Sequence, residues 1–469
     1  MAAAFTTALA RVRDLARDGS DYDLLASAHT NQLARAADCR FRDRLLTPGE
    51  TLRLFIQQIA HGNLACAAVR HLADRDFTDS AWCQARSRLP LDVISGVNRS
   101  IVQGTLTELN RCDDAGDGSY RWRGHRVLVI DGTTDSMPDT PVLRTHYGVP
   151  AGVRPGLGFP MAHLLMLMDH RSGLIVDCLD SPLFTSDAAV AHKVHHHLAA
   201  GDVLLGDRLF AGYAHLALLL QANLHAVMPM HQKRIVDFTP LRPHAHPHRG
   251  KSAKRGGKPR SRVIRRLGDE DQVVEYFKDV KKPVWMSDEQ WQSLPESITV
   301  REIRRTVQRH GFRPITVTIV TTLLDPEHYP ADELIELRLT RWLVETNFRH
   351  LKITLGMDVL KCKTLDGVRK ERLVFILVYN LIRGLMLRAA RRQRVNINRL
   401  SFADALAWLR HAHPRRPNAF APPNLIENPT RPGRLEPRKI KRQKKEFPYM
   451  KQSRAELKAL LVAKYRVTT

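Results

Sequence analysis

Two aspartates stand beside short apolar runs, where a carboxylate could do chemistry at the edge of a sheet. Asp131 follows the run RVLVI, and Asp207 closes the run DVLLGD. In α/β folds, catalytic groups lie in the crevice at the carboxyl ends of the strands. An aspartate in this place can equally cap a helix or start a turn, so each one alone is weak evidence for catalysis.

A third carboxylate lies in the segment RWLVETNFRHLK, which we predict to be part of one long amphipathic helix from about Asp332 to Leu355. Arg341, Glu345, Phe348 and Lys352 stand at offsets 0, 4, 7 and 11. At 100° per residue the four side chains fall within about 60° of one another, so they share one face. A solvated row of ion pairs would explain the two bases. It explains less well why Phe348 faces the same way.

Three segments together resemble the DDE transposases of bacterial insertion sequences. They are DGTTDSMPDTP, GDVLLGDRLFAGY and RWLVETNFRHLK, and the resemblance is to the group whose third motif reads Y-x2-R-x3-E-x6-K. Arg341, Glu345 and Lys352 match the R, E and K of that motif at its spacings, whereas Arg338 stands in place of the tyrosine. The resemblance covers most of the chain, because PGLGFPMAHLL, TTLLD, YNLIRGLM and QARSRLPL are also similar to the family.

The resemblance implies a ribonuclease H-like core in which Asp131, Asp207 and Glu345 form a catalytic, metal-binding triad. Such carboxylates could hold two Mg²⁺ ions about 4 Å apart, an arrangement of hard oxygen ligands used for in-line phosphodiester displacement. One ion would activate the attacking water or 3′-hydroxyl, and the other would stabilise the leaving oxygen. Mn²⁺ is expected to substitute for Mg²⁺.

Basic residues near the triad are the expected DNA contacts. Arg341 and Lys352 flank Glu345 and would hold phosphates of the scissile strand. We expect the same of Arg208, next to Asp207, and of Arg338.

The charge balance predicts a polyanionic partner. The 469 residues carry 73 Lys and Arg against 48 Asp and Glu, a net charge of +25. Two basic runs stand out: residues 249–266 hold nine Lys or Arg and no acid, and residues 431–469 hold thirteen against three acids. Such blocks usually bind nucleic acid or form mobile tails. The six cysteines form no C-x-x-C pair, so we expect free thiols in a reducing compartment.

Apolar periodicity divides the chain into three parts. We predict an all-helical N-terminal DNA-binding domain over 1–118, an α/β catalytic domain over 119–395 with a β-rich insertion at about 232–315, and a basic C-terminal tail over 396–469. The catalytic domain should be a ribonuclease H-like mixed sheet with flanking helices. Short apolar runs bounded by turn residues predict five of its strands, at 126–134, 163–169, 173–180, 202–207 and 224–230. The apolar run at 373–386 contains Asn380 and Arg383 and is too short to span a membrane.

A helix from Ser80 onward is the candidate for reading DNA sequence. It places Trp82, Ala85 and Leu89 on one side, and we expect Arg86 and Arg88 to point outward from the other. An ordinary surface helix of an all-helical domain remains the alternative, because helix-turn-helix motifs have no strict sequence code.

Other conspicuous residues have simpler interpretations. His192, His195, His196 and His197 contain an i, i+4 pair that could bind Zn²⁺, but a solvent-facing helix is favoured because no third type of ligand lies nearby in the sequence. Asp135 and Asp139 are expected to shape the loop after Asp131. Trp285 and Trp291 could stack on DNA bases, although core packing is favoured.

The expected function is DNA transposition in the bacterial cytoplasm, at the nucleoid. The protein would bind double-stranded DNA at the terminal inverted repeats of its element and at the target, acting as a homodimer or larger synaptic complex. The resemblance implies a cut-and-paste route through a hairpin end. Two alternatives stay open: a metal-dependent nuclease without strand transfer, and a DNA-binding protein derived from a transposase that no longer catalyses.

Overall fold

A computed structural model describes most of the chain between Ser27 and Pro429. It covers residues 27–429 except 74–75, 115–120, 152–157, 232, 245–257, 309–313 and 412–423, together with short pieces between 452 and 463. Most of the two predicted basic runs, at 249–266 and 431–469, therefore lies outside the described residues.

Helices occupy the first part of the described chain, as the apolar periodicity predicts. Caps define several of their ends: the Thr47 hydroxyl accepts from the Glu50 amide, and the Thr78 hydroxyl accepts from the Ala81 amide. The α-helices here are α1 (Ser27–Ala36), α2 (Pro48–Ala60), α3 (Cys66–Val69), α4 (Asp79–Arg88) and α5 (Leu91–Asp114).

A single nine-stranded mixed sheet forms the centre of the protein, in the order β3-β2-β1-β4-β5-β9-β8-β7-β6. Its strands are β1 (Val127–Ser136), β2 (Met161–Asp169), β3 (Ile175–Pro182), β4 (Val203–Leu205), β5 (His225–Pro229), β6 (Ser261–Gly268), β7 (Asp271–Phe277), β8 (Ser297–Val307) and β9 (Ile315–Thr321). All five strands predicted between residues 126 and 230 are present, at nearly the predicted bounds. The fold class is confirmed as α/β with a mixed sheet.

Strand direction changes across the sheet. β1, β4 and β5 are parallel neighbours, while β2 and β3 continue antiparallel on the other side of β1. β9 pairs antiparallel with β5, and β6, β7 and β8 extend the sheet beyond β9. These three strands lie within the segment predicted as an insertion, so that segment lengthens the sheet at one edge.

Helices pack on both faces of the sheet. The other α-helices are α6 (Pro141–Tyr147), α7 (Asp187–Val190), α8 (Tyr213–Gln221), α9 (Asp288–Ser293), α10 (Ala331–Thr340), α11 (Leu343–Arg349), α12 (Leu365–Gln393) and α13 (Phe402–His411). One apolar core joins Val129 and Leu205 of the sheet to α12 and the N-terminal helices. A second core joins Leu128 and Leu204 on the opposite face to α8.

The 29-residue helix α12 is the central helix of the first core. By length and composition it could cross a membrane, but 94% of its most apolar window is buried inside the protein. Its polar residues bind neighbouring elements: Glu371 accepts from the Asn63 side chain (2.6 Å) and from the Lys361 and Cys362 amides. The N-terminal helices and the sheet are therefore fixed to the same helix.

The prediction of one continuous helix from Asp332 to Leu355 is wrong. α10 ends at Thr340, a turn at residues 341–342 separates it from α11, and His350–Thr354 is π-helical. Breaks and π-turns of this kind change the direction of side chains along a helix. The regular 100° spacing that placed Arg341, Glu345, Phe348 and Lys352 on one face therefore does not hold.

Candidate active site

The parallel pairing of β1 and β4 brings Asp131 and Asp207 to the same level of the sheet. Val129 pairs with Leu205, and both aspartates come two residues later. Because side chains alternate along a strand, Asp131 continues the face of Val129, which is the face covered by α11 and α12. The charge interaction between Asp131 and Asp207 shows that Asp207 lies near it.

Asp131 lies inside β1 and not at its end. β1 runs on to Ser136, because residues 131–136 stay paired with β2, whereas β4 ends at Leu205. Asp131 therefore lies at the point where β1 loses its parallel neighbour. The resulting crevice between β1 and the chain after β4 is the place where an α/β sheet offers a ligand site.

Glu345 reaches this crevice from α11 through a shared arginine. Arg341 Nη1 donates to Asp131 Oδ2 at 2.5 Å, and its Nη2 lies 3.6 Å from Glu345 Oε1. The exposed side-chain fractions rise from 19% for Asp131 to 40% for Asp207 and 59% for Glu345. One carboxylate thus lies at the bottom of the cleft and two at its rim.

The electrostatics of the cleft mix acids with arginines. Burial raises the pKa of Asp131, which the nearby Arg341 opposes and the Asp207 carboxylate reinforces. Burial lowers the pKa of Arg338 to about 10, with Arg341 adding to the shift and the two aspartates opposing it. Arg208 also interacts with Asp207, at 4.0 Å. Charge interactions therefore couple the residues of the cleft, which are Asp131, Asp207, Arg208, Arg338 and Arg341.

Two of these arginines have unused hydrogen-bonding capacity. The Nε atoms of Arg338 and Arg341 are buried and have no hydrogen-bond partner among the described residues. Buried donors without partners are costly, and they are usually explained by a function or a missing ligand.

Lys352 makes its ion pair with a residue outside the proposed triad. Its Nζ pairs with Asp358 at 3.0 Å. Phe348, predicted on the same face, packs against the apolar core while Glu345 is exposed. The structure thus brings Arg341, but not Lys352, into direct contact with Asp131 and Glu345.

The expectation that Arg86 and Arg88 both point outward is wrong for Arg86. Its guanidinium lies 4.0 Å from the centre of the Phe55 ring and donates to the Cys362 sulfur at 3.0 Å. Arg88 is exposed. It lines a 580 Å³ cavity together with Arg40, Arg42 and Arg44. The alternating RFRDR at 40–44 is the sequence signal that could have identified this basic cavity.

The two aspartates after Asp131 have structural partners. Both carboxylate oxygens of Asp135 accept from Arg372, at 2.7 and 3.1 Å, and the pair is buried. Asp139 pairs with Arg144. Trp285 stacks on His192 with ring centres 5.1 Å apart, and Trp291 packs beside Tyr213. Both tryptophans contact the second core, as core packing predicts.

The expectation of a solvent-facing histidine helix holds for His196, which is exposed, but is wrong for His195. Ala191–His197 is a 3-10 helix, and His195 Nε2 lies 2.9 Å from His215 Nε2 in the interior. Burial lowers the pKa of His195 to about 3 and that of His215 to about 4. His196 and His197 lie near Asp177 of β3. That carboxylate is the third ligand type that the sequence pattern did not show.

The structure combines a mixed sheet with an acidic, arginine-lined cleft beside its parallel strands. The family model described as a transposase DDE domain matches residues 122–381, which include Asp131, Asp207 and Glu345. The chain belongs to this family of DDE transposases.

Two curated relatives from Escherichia coli strain K12 are similar to the chain. Transposase InsG of insertion sequence element IS4 is 26% identical over 390 residues, which cover 79% of this chain and 78% of InsG. The putative transposase InsZ is 28% identical over 153 residues, which cover 32% of this chain and 49% of InsZ. These relatives support a bacterial transposase of the IS4 type.

A solved structure also aligns with much of the chain. It is a piggyBac transposase synaptic complex with hairpin DNA, with 11% sequence identity and a TM-score of 0.37. The alignment covers 88% of this chain and 83% of that one. A score this low supports no inference about fold or function.

Proposed function

We propose that the protein is a DNA transposase that binds the terminal inverted repeats of its element, cleaves the ends and joins the 3′ ends to target DNA. The observation that carries this is the meeting of Asp131, Asp207 and Glu345 with Arg341 in one cleft, in a chain of the DDE family. The order β3-β2-β1-β4-β5, with β2 antiparallel to β1, supports a ribonuclease H-like core.

The donor set suits Mg²⁺ or Mn²⁺. Asp131, Asp207 and Glu345 offer only carboxylate oxygens, which are the ligands that these hard cations prefer. Asp207 and Glu345 are partly exposed, so their oxygens can take a cation without unfolding. Two bound ions would supply activation of the attacking oxygen and stabilisation of the leaving oxygen.

Arg341 has a defined part in this proposal. Its guanidinium neutralises Asp131 and Glu345, which would otherwise repel each other in a partly buried cleft. Cations held by these carboxylates would free Arg341 to donate to a DNA phosphate. A planar guanidinium can hold a phosphate by two parallel hydrogen bonds.

Arg338 and Arg208 are the other basic residues beside the proposed triad. Arg338 stands where the family motif has a tyrosine, and its buried Nε lacks a partner among the described residues. Arg208 is half exposed beside Asp207. We infer that these arginines position phosphates of the cleaved strand near the triad, while Arg88 and its neighbours contact DNA from the N-terminal helices.

Strand transfer distinguishes this function from that of a simple nuclease. The DNA flanking the gene supplies the inverted repeats, from which a duplex with a recessed 3′-hydroxyl is made. The purified full-length protein, this duplex, a supercoiled plasmid and Mg²⁺ should yield plasmid joined covalently to the labelled 3′ end. Glu345→Gln should abolish joining, whereas the matched control Glu336→Gln, an exposed residue of α10, should retain it.

Each failure has a separate meaning. Cleavage of the ends without joined product would identify a nuclease. Specific end binding with neither cleavage nor joining would identify a DNA-binding protein that has lost catalysis. Synapsis of two ends requires at least a dimer, so the active complex should contain two or more chains.

A further inference from the structure

A cluster of metal-binding side chains lies away from the acidic cleft. Asp177 belongs to β3, the outermost strand at one edge of the sheet, and His196 and His197 end the 3-10 helix Ala191–His197. One potential ligand atom from each residue lies within 4.8 Å of the other two. Among the described residues, this is the group of three that meets that spacing; the proposed catalytic triad does not.

The imidazole rings of His196 and His197 lie close together, although a 3-10 helix directs adjacent side chains apart. A 3-10 helix has three residues per turn, so adjacent side chains diverge by about 120°. The rings of His196 and His197 nevertheless approach to 3.9 Å between centres. A hydrogen bond to Asp177 accounts for His197, whose Nε2 lies 3.1 Å from Oδ2. That bond does not account for the position of His196.

Hydrogen bonds fix which ligand atoms face the cluster. His196 Nδ1 lies 2.8 Å from the Lys193 carbonyl oxygen. A carbonyl can only accept, so Nδ1 carries the hydrogen and the neutral ring presents the lone pair of Nε2. Asp177 Oδ1 accepts from the Cys178 amide at 2.8 Å, which leaves Oδ2 toward the histidines. Metal-binding histidines commonly donate their other nitrogen to a carbonyl in this way.

The backbone under the two histidines is held in place. The Arg126 guanidinium donates to the His197 carbonyl oxygen at 2.9 Å and also pairs with Asp202. The Asp202 carboxylate accepts from the Ala199 amide at 2.8 Å, closing the turn after the 3-10 helix. A preorganised backbone lowers the entropic cost of assembling a ligand set.

We propose that Asp177, His196 and His197 bind one Zn²⁺ ion at a site separate from the catalytic cleft. Two imidazole nitrogens and one carboxylate oxygen suit Zn²⁺ and are too rich in nitrogen for Mg²⁺. Zn–ligand bonds of about 2.0 to 2.2 Å place ligand atoms about 3.4 Å apart. Small side-chain rotations bring the cluster to that spacing, and the exposure of His196 leaves a fourth position for water.

Zinc binding at this site links the edge strand β3 to the segment that enters β4. That segment continues from Asp202 through β4 to Asp207. The ion would replace the proton between His197 and Asp177, which is released to the buffer. The ion would therefore stabilise the packing of β3 against this segment, outside the catalytic cleft.

Isothermal titration of the full-length protein with Zn²⁺ in excess Mg²⁺ tests the proposal. Excess Mg²⁺ occupies oxygen sites, so the strongest Zn²⁺ binding should have a stoichiometry of one per chain. His196→Ala/His197→Ala and Asp177→Asn should each weaken it at least about tenfold. The exposed His71, outside the cluster, provides the matched control His71→Ala, which should bind like the wild type.

The outcomes separate a metal site from a simple ion pair. If the double variant folds, by circular dichroism, and binds Zn²⁺ with unchanged affinity and stoichiometry, the proposal is wrong and His197–Asp177 is only an ion pair. If the double variant does not fold, His196→Gln supplies the test, because this exposed ring can be replaced without emptying the core. Unchanged binding by His196→Gln would likewise overturn the site, and weakened binding would support it.

Discussion

Replacing Arg372 with Met should destabilise the protein strongly. Arg372 and Asp135 form a two-pronged ion pair in which the side chains are 4% and 0% exposed. Arg372 donates to both oxygens of the Asp135 carboxylate, so its removal leaves that carboxylate buried without these two hydrogen bonds. Removing one partner of a buried pair typically costs about 3 to 5 kcal/mol, because an uncompensated charge remains inside.

The stability lost in Arg372→Met should increase with pH. Burial raises the pKa of Asp135, and Arg372 opposes this shift, so Arg372→Met raises that pKa further. A carboxyl whose pKa is raised in the folded state contributes stability at low pH that is lost as the pH rises through the folded pKa. The loss in Arg372→Met should therefore be larger at about pH 8 than at about pH 5.

Urea unfolding followed by circular dichroism measures the effect as a shift in the transition midpoint. Arg391→Met is the matched control on the same helix, because Arg391 pairs with Glu108 at 3.4 Å and both side chains are 38% exposed. An exposed pair is worth at most about 1 kcal/mol, so the control should shift little. Asp135→Asn with Arg372→Met should recover part of the loss. Equal shifts for the two single variants would refute the reasoning.

Three further predictions concern DNA. Deleting residues 431–469 should make the slope of log K against log salt less steep by about 0.9 for each phosphate that the shortened chain no longer neutralises; a slope equal to that of the full chain in filter binding to random duplex would count against a phosphate-binding tail. Arg341→Ala should slow single-turnover cleavage at saturating protein by about 10² while Lys352→Ala slows it less, and equal rates for wild type and Arg341→Ala would contradict a role for Arg341 beside the triad. Arg88→Ala should weaken binding to the element ends in a fluorescence-anisotropy titration, and unchanged affinity would remove Arg88 from the interface.

Local patterns predicted the parts of the fold that depend on local chemistry. Short apolar runs bounded by turn residues indicated the five strands between residues 126 and 230, because buried strands need continuous apolar sequence. The loss of β1's parallel neighbour at Asp131 could not be predicted this way. It follows from the pairing of β1 with β2, about 30 residues later in the chain, which keeps β1 extended after β4 has ended.

Long-range contacts explain the other differences. Arg86 turns inward because Phe55 and Cys362 provide an aromatic face and a sulfur acceptor that lie elsewhere in the sequence. The break between α10 and α11 accompanies the ion pairs that Arg341 makes with Asp131 and Glu345. Helical periodicity extrapolates a straight helix and carries no information on either contact. Asp177 likewise joins His196 and His197 only through the packing of β3.

Single-turnover cleavage by Asp207→Asn in Mg²⁺ tests the central proposal most directly. Asp207 is 40% exposed, so replacing its carboxylate by an amide should leave the fold intact while removing one of the three carboxylates that would hold the cations. The proposal predicts that this variant binds the element ends with wild-type affinity and produces no cleaved strand. Cleavage by the folded, DNA-bound variant at a rate comparable to that of the wild type would contradict the assignment of Asp131, Asp207 and Glu345 as the active site.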